Sequence, residues 1–235
     1  MIPYGRQNIS QEDIDSVLDV LRSDFLTQGP KVPEFEKTLI DYCKSSYAIA
    51  LNSATSALHI SCLALELGKG DWLWTSANTF TASANCAIYC GAKVDFIDIN
   101  PNTYNLCPIE LEKKLIKAEK NGTLPKIVVA VHFAGQSCEM TKIYALSKKY
   151  NFNIIEDASH AIGGKYKNKL IGNCLYSDIT VFSFHPVKII TSGEGGMALT
   201  NDKVLAEKIE LLRSHGITRD ANKMVGVSDG SWFYQ

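Results

Sequence analysis

The chain has 235 residues, enough for one large domain with its own core. Its 24 Lys and Arg face 25 Asp and Glu, a formal net charge of −1 with the two signs interspersed. That argues against a partner held by bulk charge, such as nucleic acid or an anionic membrane. No apolar run reaches the ~20 residues of a membrane span, and the amino terminus does not read as a signal peptide. The seven cysteines are odd in number and lack a Cys-x-x-Cys pair. They read as reduced, mostly buried side chains of a cytoplasmic protein. Cys86 and Cys90 lie one helical turn apart, but no local His or carboxylate completes a metal site.

In chain order, the patterns predict helices over 12–21 and 33–42, a strand over 47–51 and a helix over 55–67. A strand over 72–75, a helix over 82–90, a strand over 94–97 and a helix over 108–121 follow. Next come a strand over 127–131, a helix over 140–150 and strands over 153–155, 179–182 and 196–200. A helix over 202–214 closes the series. Short apolar strands separated by helices of ten to fifteen residues predict an α/β fold with a largely parallel sheet. No helix is predicted between 179–182 and 196–200, so those two could form an antiparallel, hairpin-like insertion. Residues 1–33 read as an arm, packed on the sheet domain or on a partner subunit, and 34–235 as the main domain. Three aromatic residues, Trp232, Phe233 and Tyr234, near the end of the sequence call for a cover.

Chemistry concentrates at strand ends. Asn52-Ser53-Ala54-Thr55-Ser56-Ala57 joins a strand to a helix, where backbone N–H groups bind phosphate and small side chains let it approach. Ser53 or Thr55 could equally be a plain helix cap. Phe80 follows the next strand and could stack on a flat ligand or simply fill core. Glu156 and Asp157 end an apolar run, and alternation sends one toward the site and the other away. His160 follows within reach of the same place. His132, His59 and His215 read as structural. Lys188 lies five positions after Ser183, which ends another apolar run, and before Gly193, Gly195 and Gly196. A lysine withdrawn from water there can form an imine, and an acid on a neighbouring strand end can keep a pyridine nitrogen protonated. Each stretch has an ordinary structural explanation; their conjunction is far more specific.

The ordered set Asn52-Ser53-Ala54-Thr55, Thr79-Phe80, Glu156-Asp157-Ala158-Ser159-His160-Ala161 and Phe182-Ser183-Phe184-His185 with Lys188 and Glu194-Gly195-Gly196 resembles one family. It is the DegT/DnrJ/EryC1/StrS family of nucleotide-sugar aminotransferases, which are fold type I pyridoxal phosphate enzymes. The resemblance runs the length of the chain. It implies the large domain of that fold, a mostly parallel seven-stranded sheet flanked by helices. Family members continue beyond the position of Gln235 through an asparagine donated across the dimer and a small carboxyl-terminal domain, both absent here.

The resemblance implies pyridoxal 5′-phosphate as cofactor. It assigns Lys188 to covalent attachment and proton transfer, and Asp157 to the pyridine nitrogen. Phe80 would stack on the ring, Ala54, Thr55 and Ser183 would hold the phosphate, and His160 would sit near the phenolic oxygen. Tyr4, Asp24, Phe25, Leu26, Thr27, Ala54 and Ser183 match positions that contact substrate. Ile2-Pro3-Tyr4-Gly5-Arg6-Gln7 and the stretch from Leu21 to Pro30 look like the branch that moves an amino group from glutamate to C4 of a UDP-4-keto-6-deoxy-N-acetyl-hexosamine. The partners so implied are that UDP-sugar, L-glutamate and a second copy of the chain in a homodimer. Four alternatives compete: an aminotransferase for another nucleotide sugar, a related sugar dehydratase, a non-catalytic cofactor-binding protein, and a plain doubly wound α/β domain in which Lys188 is incidental. Lys188 itself opposes the dehydratase, in which a histidine takes that place.

Overall fold

The computed structural model describes residues 2, 5–218, 220–225, 230 and 232–235. Helix α1 (Gln11–Arg22) is started by Ser10, whose hydroxyl accepts from the Asp13 N–H while the Asp13 carboxylate accepts from the Ser10 N–H. This reciprocal cap satisfies two donors the helix cannot serve itself. No residue of α1 is buried. Helix α2 (Lys31–Cys43) packs on the first strand through Leu39 and Cys43.

The alternating unit then follows: β1 (Tyr47–Leu51), α3 (Ala54–Ala64), β2 (Trp72–Ser76), α4 (Ala82–Tyr89), β3 (Lys93–Ile97), α5 (Pro108–Asn121), β4 (Ile127–Val131), α6 (Met140–Tyr150) and β5 (Asn153–Asp157). A two-stranded ribbon, β6 (Lys165–Tyr166) and β7 (Lys169–Leu170), precedes β8 (Ile179–Ser183), β9 (Gly196–Thr200) and α7 (Lys203–Arg213). The sequence pattern did not announce the ribbon. Its strands are two residues long, too short for alternation to register.

The main sheet has seven strands in the order β1-β9-β8-β5-β4-β2-β3. Only β9 runs against its neighbours; the pairs β2–β3, β2–β4, β4–β5 and β5–β8 are all parallel. The final pair is therefore antiparallel, as the missing helix suggested, but it is no insertion. Strand β9 sits inside the sheet between β8 and β1, and Gly196 pairs with Leu51 on one side and Ser183 on the other. Because β9 reverses direction twice over, β1 and β8 point the same way and end on the same edge. The turn after β1 and the loop after β8 thus become neighbours, although 130 or so residues separate them in the chain.

Both faces of the sheet are covered, which is why the central strands read as continuous apolar runs. Within β4, Ile127 and Val129 join the core under α3 and α4, while Val128 and Ala130 join the core under α5 and α6. The exposed edge of β1 is closed by side chains. Glu36 accepts from the Ala50 N–H at 2.8 Å, and Arg213 donates both to Glu36 and to the Ala50 carbonyl. Two polar groups that would invite another strand are thereby satisfied.

Two predicted boundaries moved for physical reasons. Helix α3 ends at Ala64 rather than at 67, because Leu65 caps it and Glu66 turns left-handed at φ 60°. Strand β5 runs on to Asp157, because Glu156 and Asp157 pair with Ala130 and Val131 of β4. Among the described residues no helix is long and apolar enough to cross a membrane.

Candidate active site

A cavity of about 520 Å³ opens at the carboxyl edge of β1, β4, β5 and β8. That is where ligands lie in open α/β sheets, and the volume is that of a small-molecule site. It is lined by Ala54, Thr55, Phe80, Asp157, His160, Ser183 and Lys188, every position assigned to cofactor from the sequence. A more open hollow of about 540 Å³ lies beside it, sharing Phe133 and bordered by Asn78, Asp98 and Tyr104. Among the described residues its lining has no lysine or histidine, whereas the first cavity has both.

One wall is the start of α3. Ser53 is the cap, its hydroxyl accepting from the Ser56 N–H at 3.1 Å. The N–H groups of Ala54 and Thr55 are first-turn donors with no partner inside the helix, and the helix dipole makes this end attractive to an anion. The turn is held tightly against β9. A side chain on Gly196 would overlap the Ser53 carbonyl and the Ala54 nitrogen, so only glycine lets the strand pass.

The floor is the end of β5. Asp157 is buried at 6% exposure and accepts from the Ser83 hydroxyl at 2.6 Å and from the Ser159 hydroxyl at 2.6 Å and N–H at 3.2 Å. Since Ser83 spends its hydrogen on Asp157, the 2.8 Å contact between Thr79 and Ser83 must have Thr79 as donor. A hydroxyl relay thus orients the carboxylate. Glu156, one residue earlier, points to a different pocket, as strand alternation requires. It accepts from Ser177 and Thr180 and faces His132 Nε2 at 2.7 Å. Burial pushes the Glu156 pKa up, but hydrogen bonds from His132, Ser177 and Thr180 outweigh it and hold the carboxyl below its ordinary value. The Cys138 N–H points at His132 Nδ1 at 3.1 Å. An N–H can only donate, so Nδ1 carries no proton and the ring's hydrogen sits on Nε2, toward Glu156. His132 is thus the satisfied histidine expected from the sequence, though it also lines the cavity.

The far wall is the loop after β8. Lys188 Nζ lies 2.7 Å from His160 Nε2. Burial lowers the Lys188 pKa, with Asp157 opposing, and burial followed by the Lys188 charge lowers that of His160. Phe80 is 75% exposed at the mouth, ahead of α4 rather than within it, so it is no core residue. That disposes of the ordinary explanation of this ring.

The positions assigned to substrate divide. Ala54 and Ser183 line the cavity. Phe25 and Leu26 are exposed on the arm, and Asp24 and Thr27 beside them are outside the cavity lining. Tyr4 lies outside the described residues. Sequence reasoning did not single out Ser83, the nearest donor to Asp157. Its one signal is the spacing of four from Thr79, visible only once a turn is known to lie there.

The fold and this edge define an α/β domain with an anion cradle, a buried acid and a half-buried lysine around one cavity. The family model described as "DegT/DnrJ/EryC1/StrS aminotransferase family" matches residues 7–230, and the chain belongs to that family. It is 48% identical over 93% of its length to the UDP-4-amino-4,6-dideoxy-N-acetyl-beta-L-altrosamine transaminase of Campylobacter jejuni, of which it covers 56%. Helicobacter pylori PseC, an aminotransferase of pseudoaminic acid biosynthesis, superposes with a TM-score of 0.85 at 34% identity, over 96% of this chain and 59% of that one. The PLP form of Spr1654 from Streptococcus pneumoniae gives 0.84 at 30% identity, over 100% of this chain and 60% of that one. The chain therefore spans little more than half the length of the relatives it matches.

Proposed function

We propose that the chain carries the catalytic core of a pyridoxal phosphate-dependent aminotransferase acting on a nucleotide sugar. The observation that carries this reading is the convergence of Lys188, Asp157 and the α3 amino terminus on one cavity. The residues fit the cofactor. First-turn N–H groups of Ala54 and Thr55, with the Ser183 hydroxyl, would hold its phosphate. Asp157, fixed by Ser83 and Ser159, would face the pyridine nitrogen. Phe80 would cover a ring face, His160 would lie near the phenolic oxygen, and Lys188 would make the covalent attachment. When bound, pyridoxal phosphate supplies an electron sink for the amino-group carbon. The chain's own contribution is to orient that sink, exclude water from it and move protons at Lys188 Nζ. A lowered Lys188 pKa favours the free amine that covalent attachment and proton transfer need.

The substrate reading is transfer from glutamate to C4 of a UDP-4-keto-6-deoxy-N-acetyl-hexosamine. The printed activity of the Campylobacter jejuni relative supports it. So do the amino-terminal segments around Tyr4 and Asp24, Phe25, Leu26 and Thr27, which we assign to substrate contact. The expected 33/34 boundary falls inside helix α2 (Lys31–Cys43), which packs on β1, so the arm ends ahead of α2 and the rest is the cofactor-binding domain of a cytoplasmic homodimer. The test is the visible absorption spectrum with added pyridoxal phosphate, before and after glutamate. A band that forms and then bleaches supports the aminotransferase. A band that persists means cofactor binding without turnover, and no band refutes the assignment.

A further inference from the structure

We infer that His160 is a catalytic proton partner of Lys188, taking and returning the proton that the lysine must shed to attack a carbonyl carbon. The inference rests on the proposed function for its place in the reaction but is carried by geometry independent of any ligand. Nζ and Nε2 are 2.7 Å apart, a hydrogen-bond distance that one shared proton bridges. Both side chains line the same cavity. The His160 backbone is clamped as well. Gly135 packs so closely that an added Cβ would stand 2.6 Å from the His160 carbonyl oxygen, and Gly135 also has φ +86°. The loop carrying Gly135 is held in turn by Asn105, which accepts from the Phe133 N–H at 2.9 Å and donates to the carbonyls of Gln136 and Ser137. Lys188 is held from its own side, its N–H donating to the His185 carbonyl at 2.9 Å.

The Lys188 ammonium gives one proton to Nε2, leaving an amine and an imidazolium. The Nζ lone pair attacks the carbonyl carbon, the carbonyl electron pair moves to oxygen, and one nitrogen-bound proton follows it to form a hydroxyl. The imidazolium then protonates that hydroxyl, which leaves as water while a carbon–nitrogen double bond forms, and His160 ends neutral. The lowered proton affinities of both groups agree with a pair that carries one mobile proton rather than two. The other titratable groups facing this pair are Asp157 at the end of β5, His132 after β4, and His185 and Glu194 in the loop after β8.

The test uses the full chain freed of cofactor, with formaldehyde and cyanoborohydride as the probe. Labelling of Lys188 is measured by peptide mass spectrometry against the exposed Lys37 across a range of pH. We expect His160→Gln and His160→Asn each to slow Lys188 labelling by about tenfold, below the roughly 100-fold a general base can supply, and to move its pH profile. Identical rates and profiles in wild type and variants overturn the pairing. A second readout needs no His160 variant. In Lys188→Met the His160 titration, followed by imidazole NMR, should move upward once the lysine charge is gone, and an unmoved midpoint overturns the proposal. A chain that fails to bind pyridoxal phosphate would sink the proposed function and leave both readouts intact.

Discussion

The amino-terminal arm carries strong local signals and the carboxyl edge of the sheet weak ones, yet it is the edge that the rest of the molecule constrains. Helix α1 is fully capped and amphipathic, and it buries nothing. The edge is made of short loops with little intrinsic preference, yet Asp157, Glu156 and His132 there are buried and fully engaged. Caps and periodicity mark where an element starts and stops. Packing and polar satisfaction decide whether it holds an atom in place.

The largest expected contrast is chemical. Lys188→Ala should abolish covalent attachment of pyridoxal phosphate, read as the loss of a borohydride-fixed adduct, with the far-UV circular dichroism unchanged. A reducible adduct persisting in the variant would remove Lys188 from its role. Asp157→Asn should leave cofactor bound but slow the glutamate half-reaction by about 100-fold or more, the scale of losing a preorganised charge. A near-normal rate would reassign the acid.

Stability separates the two regions next. Glu156→Ala leaves His132, Ser177 and Thr180 without their buried acceptor and should cost about 3 kcal/mol in urea unfolding. Val17→Ala on the exposed face of α1 should cost under about 0.5 kcal/mol. Equal costs would dissolve the contrast. The smallest effect is a pH slope. The folded-state pKa of Lys188 lies below its unfolded value, so between the two the unfolded chain binds more protons and stability rises with pH. Lys188→Met should flatten that rise in thermal melts across the window. An unchanged slope would mean the lysine is not desolvated.

Much of the site was legible because its parts are single residues at strand ends. Lys188, Asp157, Ser183 and the Ser53 turn each follow an apolar run, and strand ends in a parallel sheet share an edge. The split between Glu156 and Asp157 followed from alternation alone. Ser83 and the Thr79 relay were not legible, because a hydroxyl in a helix pattern carries no sign of what it faces. The exposure of Phe80 was equally open, since a phenylalanine after a strand fits core or cavity alike.

From sequence alone came the seven strands of the main sheet, the helices between them and the candidate residues that now line one cavity. These depend on periodicity and turn chemistry, which act over a few residues. Only the tertiary structure decided that β9 runs antiparallel between β8 and β1 and so brings Ser183 and Lys188 beside the Ser53 turn. It alone decided that Glu156 pairs with His132 while Asp157 takes serine donors, and that Lys188 meets His160. Those outcomes turn on strand order and on which buried polar group can satisfy which other. Both are properties of distant segments packed together, and no short window of sequence contains them.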